Sequence, residues 1–360
     1  GYDNLTAKIK IVKYRKVAQK KNEFYQVVFN LTPFYPEGGG QIGDTGFIES
    51  NGIKTSVFDT KKENNLIVHS LKELPPNVDL TFDAVVNGEK RNATTYNHTT
   101  THLLHHALRT VLGSHVEQKG SLVSPDHLRF DFSHFSKVTD EELEKIQAII
   151  SGEIHKNLRL EEKRNTPMEI ALEMGAMALF GEKYGDTVRV IKFGESVELC
   201  GGTHVQATGE IGLCIITSEA AVAAGIRRIE AITSKKAENY YSSRTELLSQ
   251  ISSKLKNPKD ILKAVDDLIT KNSILNKEIE VFQKSKSKQL KLELKNKIEP
   301  HNGFNLLGEI VELDGGSIKD ILFQLKGETE NFVGIVGGDE GDKCTLSIIA
   351  SDNIVKDHNF

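Results

Sequence analysis

No stretch of about 18 apolar residues occurs anywhere in the 360-residue chain, so no segment reads as a membrane-spanning helix. The opening residues, Gly1 to Lys10, lack the charged start and apolar run of a secretory signal. Cysteine is scarce: Cys200, Cys214 and Cys344 cannot build a disulfide framework, which predicts a reducing, cytoplasmic setting. Basic residues are not in excess either, and a net charge of −4 does not by itself mark a nucleic-acid binder. The chain opens on Gly1 without an initiator Met, so it is expected to be an excised or processed piece. What is present, 38% hydrophobic and 27% charged residues, is the composition of a soluble globular protein, and the length implies two or three domains. There is no internal repeat.

Residues 1–90 read as a small β-barrel. Ala7 to Val12 alternates apolar and charged side chains as a half-buried strand does, and Phe24 to Leu31 is a second strand. Thr32-Pro33-Phe34-Tyr35-Pro36-Glu37-Gly38-Gly39-Gly40-Gln41 then forms a stretch that no helix tolerates, before a strand at Gly46-Phe47-Ile48. From 91 to 234 the pattern becomes α+β. Leu103, Leu104, Ala107, Leu108 and Val111 make a helical stripe in His98–Gly113, and Leu128–Phe132 is a strand. Thr139-Asp140-Glu141-Glu142 is a capping box before the stripe Leu143, Ile146, Ile150 and Ile154. A helix is expected over Pro167–Phe180, with strands at Thr187–Phe193 and Gly212–Thr217.

Residues 235–299 are rich in Lys, Glu, Leu, Ser and Asn, and Pro258 is their only proline. Asn257 is expected to cap a helix with Pro258 at its first position and Asp260 in its first turn. Ile261, Val265, Leu268, Asn272, Leu275, Ile279 and Phe282 step by fours and threes, which predicts a coiled-coil hairpin or an oligomer stalk. Residues 300–360 turn globular again as a partial small α/β domain, with Phe332–Val336 and Cys344–Ala350 framing a hairpin around Gly337–Asp342. The fold class is therefore multidomain α+β.

His98 and His102 lie one helical turn apart on one face, where both rings can reach a single ion. Taken alone the pair is weak, and the Glu of the metalloprotease pattern His-Glu-x-x-His is missing. Cys200-Gly201-Gly202-Thr203-His204 adds a thiol and an imidazole around a tight Gly-Gly loop, completing a three-histidine, one-cysteine set suited to tetrahedral zinc. The bland alternative is a buried cysteine in a turn and an unrelated surface histidine. Cys214 and Cys344 read as core thiols.

Four separated motifs carry a family resemblance. Asn97-His98-Thr99-Thr100-Thr101-His102-Leu103-Leu104 and Glu198-Leu199-Cys200-Gly201-Gly202-Thr203-His204 resemble the editing-domain signature of alanyl-tRNA synthetases and their freestanding relatives. Phe34–Gln41 is similar to the glycine-rich motif of the barrel before that domain, and Gly225-Ile226-Arg227-Arg228-Ile229-Glu230-Ala231 to its closing segment. The layout of barrel, editing core, helical hairpin and partial C-terminal domain runs through the whole chain. Nothing in it resembles the family's ATP- and alanine-binding aminoacylation domain, so ATP chemistry is expected only of a full-length enzyme.

The resemblance implies a deacylase that hydrolyses serine or glycine from alanine tRNA, with zinc held by His98, His102, Cys200 and His204 and the tRNA acceptor end as partner. Cys200, Thr101 and Gln118 are the implied catalytic positions, the latter two reading the serine hydroxyl. The alternative readings are a bond back to its own helix for Thr101 and an exposed strand residue for Gln118. Arg227 and Arg228 read as contacts to acceptor-end phosphates or as ion pairs with Glu230 or another carboxylate. Gly39, Gly40 and Gln41 read as a backbone cradle for RNA or as a tight turn packing barrel on core. Four protein ligands close a tetrahedron, so zinc is either structural or must open for water. A homodimer through the tail is expected. The other readings are a freestanding deacylase and a non-catalytic zinc-stabilised RNA-binding module.

Overall fold

The computed structural model describes residues 2–19, 22–178, 185–339, 341 and 344–357. The chain divides into two compact units, residues 1–248 and 249–360.

The first unit begins with six antiparallel strands: β1 (Thr6–Gln19), β2 (Asn22–Phe29), β3 (Gly46–Ser50), β4 (Ile53–Glu63), β5 (Leu66–Leu71) and β6 (Thr81–Val86). They close into a barrel in the order β1-β2-β5-β4-β3-β6, which leaves no free edge. Alternation sets the interior: along β6, Phe82, Ala84 and Val86 point inward to meet Ile9, Val27, Ile48 and Leu71. The strand expected at Phe24–Leu31 stops at Phe29, and Leu31 is exposed in the loop that follows.

A buried ion pair ties that loop to the next element. Asp44 accepts the backbone N–H of Tyr35 at 2.6 Å, and Arg91 Nε donates to both Asp44 oxygens at 3.0 and 2.9 Å. Arg91 Nη2 also reaches Asp44 and the Pro33 carbonyl. Arg91 lies on α1 (Gly88–Leu112), which is capped by Asn87 accepting from Lys90 N at 3.0 Å. The helix thus starts well before the expected His98. Its first ten residues, Gly-Glu-Lys-Arg-Asn-Ala-Thr-Thr-Tyr-Asn, carry no apolar stripe because polar side chains take the inward positions: Arg91, Thr94 and Asn97 are buried.

After α1 come β7 (Gln118–Val123), β8 (Leu128–Ser133), α2 (Asp140–His155), β9 (Glu161–Pro167), α3 (Met168–Glu173), β10 (Thr187–Phe193), β11 (Ser196–Leu199), β12 (Cys214–Ala223) and β13 (Ile226–Thr233). The strands form one sheet in the order β12-β13-β8-β7 and another in the order β11-β10-β9. Leu104 and Leu108 of α1, Ile146 and Ile150 of α2, and Phe130 and Ile229 of the first sheet share one core. The predicted capping box is present, with Thr139 Oγ1 accepting from Glu142 N and the Glu142 carboxylate accepting from Thr139 N. The helix expected over Pro167–Phe180 is shorter. Pro167 is its N-cap, Gly175 turns the chain out at φ +77°, and Met177 pairs with Glu198; Phe180 lies outside the described residues. Cys214 is buried as expected, and burial pushes its thiol up to about 12.

Helix α4 (Ser234–Lys254) leads out of the first unit. In the second unit α5 (Ile261–Asn296) runs about 54 Å at helical rise. Its cap is Asp260, whose Oδ1 accepts from Lys263 N at 3.0 Å, not Asn257. Lys256 and Asn257 sit at φ +65° and +52°, a left-handed turn that no continuing helix passes through. The apolar seam stays exposed at Val265, Leu268, Leu275, Ile279 and Phe282, whereas Leu294 near the C-terminal end of α5 is buried. It packs in the core of the terminal domain: β14 (Glu299–His301), β15 (Phe304–Val311), α6 (Gly315–Glu328), β16 (Phe332–Asp339), β17 (Cys344–Ala350) and α7 (Asp352–Asp357). β15 and β16 are parallel with α6 crossing between them, and β16 pairs antiparallel with β17. The hairpin residues 340, 342 and 343 lie outside the described residues. Cys344 is exposed rather than a core thiol, because it starts an edge strand on the face away from α6. Among the described residues no helix is long and apolar enough to cross a membrane.

Candidate metal centre

The middle of α1 is buried on most of its circumference, from Asn97 through His105. Such a run of His and Thr is tolerable inside a protein only if its polar atoms find partners. Three of the four buried threonines of α1 do so within the helix: Thr94, Thr100 and Thr101 hydroxyls donate to the carbonyls four residues back. Thr101 Oγ1 donates to Asn97 O at 2.9 Å, the helix back-bond.

The histidines find theirs across the fold. The loop after β11 brings Cys200 and His204 to the His98–His102 face, and the four candidate donor atoms all lie within 4.8 Å of one another. Cys200 Sγ is 3.3 Å from His98 Nε2 and 3.2 Å from His204 Nε2. A four-coordinate ion with nitrogen and sulfur ligands separates its donors by about 3.5 Å, so these spacings suit one. Burial, then the neighbouring histidines and Arg189, holds His98 and His204 well below the ordinary imidazole range, and burial also lowers His102. Burial thus favours the neutral ring, the ligating form.

Each ring is also held from behind. His98 Nδ1 meets Gln41 Oε1 at 2.7 Å, and His204 Nδ1 meets Thr99 Oγ1 at 3.1 Å. His102 Nε2 lies 3.4 Å from Glu198, leaving its Nδ1 buried and unpartnered. Glu198 also takes His105 Nδ1 at 3.0 Å. Burial works to push Glu198 up, but His102 and His105 outweigh it and leave the carboxyl below its ordinary value. An unpartnered buried nitrogen beside three converging donors is what a set of metal ligands presents. The residues fit a metal ion.

The Cys200–His204 loop is fixed by Arg189 on β10. Its Nη1 donates to the carbonyls of Cys200 at 3.0 Å and Gly202 at 2.6 Å, its Nε pairs with Glu162 at 2.6 Å, and it stacks on Tyr2. Gly202 is there for space, since a Cβ would sit 2.0 Å from His98 Cε1.

The remaining sequence-predicted residues fall elsewhere. Gln118 opens β7, and its amide donates to Ser121 Oγ at 3.3 Å. Arg227 is bidentate on Glu219 at 2.5 and 2.6 Å, and Arg228 on Asp131 at 2.6 and 2.7 Å. Both guanidiniums are thus engaged by carboxylates across the sheet, and neither partner is Glu230. In the glycine-rich loop the Gly38 and Gln41 amides bond each other's carbonyls at 3.0 Å, so they cannot cradle a phosphate. Gln41 is fully buried, which removes it as an RNA contact; its side chain faces His98 and Thr203 instead. Sequence reasoning missed Gln41 in this role, and also Thr99, Arg189, Glu198 and His105. The available signal was that Gln41, Thr99 and Glu198 are polar residues inside or beside the recognised motifs.

The family described as "Threonyl and Alanyl tRNA synthetase second additional domain" matches residues 188–230, the stretch that carries the Cys200–His204 loop. The family "tRNA synthetases class II (A)" matches residues 1–89, the barrel. An alanine–tRNA ligase of Christiangramia forsetii is 51% identical over 99% of this chain, and that of Parabacteroides distasonis 46% over 99%. One from Bacteroides fragilis is 48% identical, again over 99%. The chain spans 41% of the length of each of these relatives. With both domain matches and this identity throughout, the chain belongs to the alanyl-tRNA synthetase family.

Proposed function

We propose that this chain is the editing portion of an alanyl-tRNA synthetase, hydrolysing the ester that joins serine or glycine to the terminal ribose of alanine tRNA. The buried set of His98, His102, Cys200 and His204 in a chain of this family carries the reading. Zinc is the proposed ion, because three imidazoles and a thiolate at this spacing are its donor set. When bound, zinc polarises the ester carbonyl or lowers the pKa of a water to about 7.

The chain's own residues account for selectivity. A pocket tuned for alanine cannot strongly exclude serine, which adds only a hydroxyl, so a second site must recognise that hydroxyl. Thr101 spends its proton on Asn97 O, which leaves its oxygen able to accept from the serine hydroxyl. Gln118, half-buried and bonded only weakly to Ser121, supplies an amide for the same hydroxyl. Alanine, lacking the hydroxyl, would make neither of these bonds.

One observation favours a second reading: four protein donors converge, and an ion held by all four would have a closed tetrahedron, as in structural sites. In that case the ion shapes the pocket, and Cys200 keeps the loop in place while the substrate's ribose hydroxyl orients the water. Acceptor-end contacts are proposed for exposed Gly39, for Gly40 and for the outer edges of Arg227 and Arg228. Attachment of alanine with ATP is proposed for the full-length ligase. A homodimer through the tail and a cytoplasmic location complete the proposal.

The test is to follow ester loss from serine-charged and alanine-charged alanine tRNA, with Cys200→Ala alongside. Loss of serine alone, abolished in a folded Cys200→Ala protein, supports the editing reading. Retention of both esters by the zinc-loaded chain refutes self-contained editing.

A further inference from the structure

The glycine-rich loop belongs to the barrel, yet its last residue is built into the metal centre of the neighbouring domain. Gln41 Oε1 accepts the backbone N–H of Thr203 at 2.9 Å. A backbone N–H can only donate, so the oxygen of the amide must face it, and Nε2 is left to donate to Thr203 Oγ1 at 3.0 Å. That orientation decides the next link. His98 Nδ1 lies 2.7 Å from the same oxygen, which only accepts, so Nδ1 carries the ring proton of a neutral imidazole. Nε2 is then the bare nitrogen, and it is the atom aimed at Cys200 Sγ. One barrel side chain thus selects which nitrogen of His98 is available to an ion, and at the same time pins Thr203, the residue before His204.

Gln41 is held as firmly from its own side. The Gly38–Gln41 turn closes on itself, Ile42 N donates to Val123 O at 3.0 Å, and Val123 N donates to Gly40 O at 2.7 Å. Gly40, at φ +78°, lies so close to β7 that a Cβ would be 2.1 Å from Ser121 Oγ. The loop cannot withdraw from β7 without carrying Gln41 away from His98.

We propose that Gln41 is a positioning residue for the metal, and that seating of the barrel loop on the editing core and loading of the metal are thermodynamically coupled. The proposal rests on the metal-centre reading given above. Coupling is reciprocal: whatever factor the seated loop adds to metal affinity, bound metal adds to the seating equilibrium. Outer partners of metal-bound histidines are worth about 10–100-fold in affinity, which sets the expected size.

The experiment measures zinc affinity of the whole chain by chelator competition, for wild type, Gln41→Leu and Gln41→Glu. Gln41→Leu removes the acceptor and should bind zinc about 10–100-fold more weakly. Gln41→Glu keeps an acceptor for His98 and Thr203 N and should recover most of that loss. If Gln41→Leu does not fold, Gln41→Asn, one methylene too short to reach His98, takes its place. Independently of any substitution, removing zinc from wild type should speed hydrogen exchange at the Ile42 and Val123 amides. Wild type that binds no zinc overturns the metal reading and this proposal with it. Wild type that binds zinc with an affinity unaltered in folded Gln41→Leu or Gln41→Asn, or with Ile42 and Val123 exchange indifferent to zinc, overturns the coupling alone.

Discussion

His69 lies at the heart of the barrel, fully buried and stacked on Phe29 with ring centroids 4.0 Å apart. Its hydrogen bonds fix its proton. Val27 O, 3.1 Å from Nδ1, can only accept, so Nδ1 carries the hydrogen. Phe34 N donates to Thr32 Oγ1 at 3.1 Å, and the Thr32 hydroxyl in turn donates to His69 Nε2 at 2.8 Å. A second proton on Nε2 would meet that hydroxyl head on, in surroundings that cannot solvate the charge. Burial accordingly lowers the pKa to about 4, against about 6.5 for the unfolded chain. Between these values the unfolded chain binds the extra proton, so stability falls as pH is lowered. The contribution is intact above pH 6.5, and by pH 4 about 3 kcal/mol is lost, since each unit is about 1.4 kcal/mol. The direct assay is an NMR titration of the imidazole, expected to stay neutral to below pH 5. Urea unfolding between pH 7 and 4 should then show a shallower acid dependence in His69→Asn, which keeps a donor for Val27 O without the titration. An imidazole that titrates near 6.5, or an acid slope that His69→Asn leaves unchanged, would refute the reasoning.

Two further outcomes follow from close contacts. Arg91→Ala strands Asp44 as a buried, unpaired charge between barrel and core and should cost about 3–5 kcal/mol, read as a lowered urea midpoint. A change of under about 1 kcal/mol, the range of a surface pair, would mean that Asp44 is solvated there. Gly202→Ala places a methyl 2.0 Å from His98 Cε1 and should lower zinc stoichiometry in a folded protein; an unchanged zinc content would show that His98 is dispensable as a ligand.

The parts of this architecture that sequence could supply are those written in local periodicity or spacing. The capping box at Thr139, the stripe on α2 and the alternation of β1 are of that kind, and so is the His98–His102 pair set one turn apart. The early start of α1 was hidden because Arg91, Thr94 and Asn97 face inward as polar residues, each answering a partner far along the chain: Arg91 to Asp44, Asn97 to Ser124 and Thr233. The α3 region was over-read because helix-forming residues continue past Gly175, whereas Met177 is claimed by β11 in a tertiary bridge. The supports of the candidate metal centre were illegible for the same reason. Gln41 and Arg189 act through contacts that no spacing along the chain records, and Gln41 read as easily as an RNA contact.

The centre also has an order of assembly. His98 and His102 precede Cys200 by about a hundred positions, and His98 and Cys200 are separated by 102. At about 5–20 residues per second, a chain under synthesis exposes the histidine pair for some 5–20 seconds before the cysteine loop exists. Two imidazoles are a poor trap for an ion, and the third and fourth candidate donors arrive only with β11 and the loop after it. The set cannot close before that loop is made, and closing it requires a contact of high sequence separation, the kind that is slow to form. A bound ion would therefore serve as a certificate of completion: a chain stalled or misfolded before Cys200 has the histidines but not the centre.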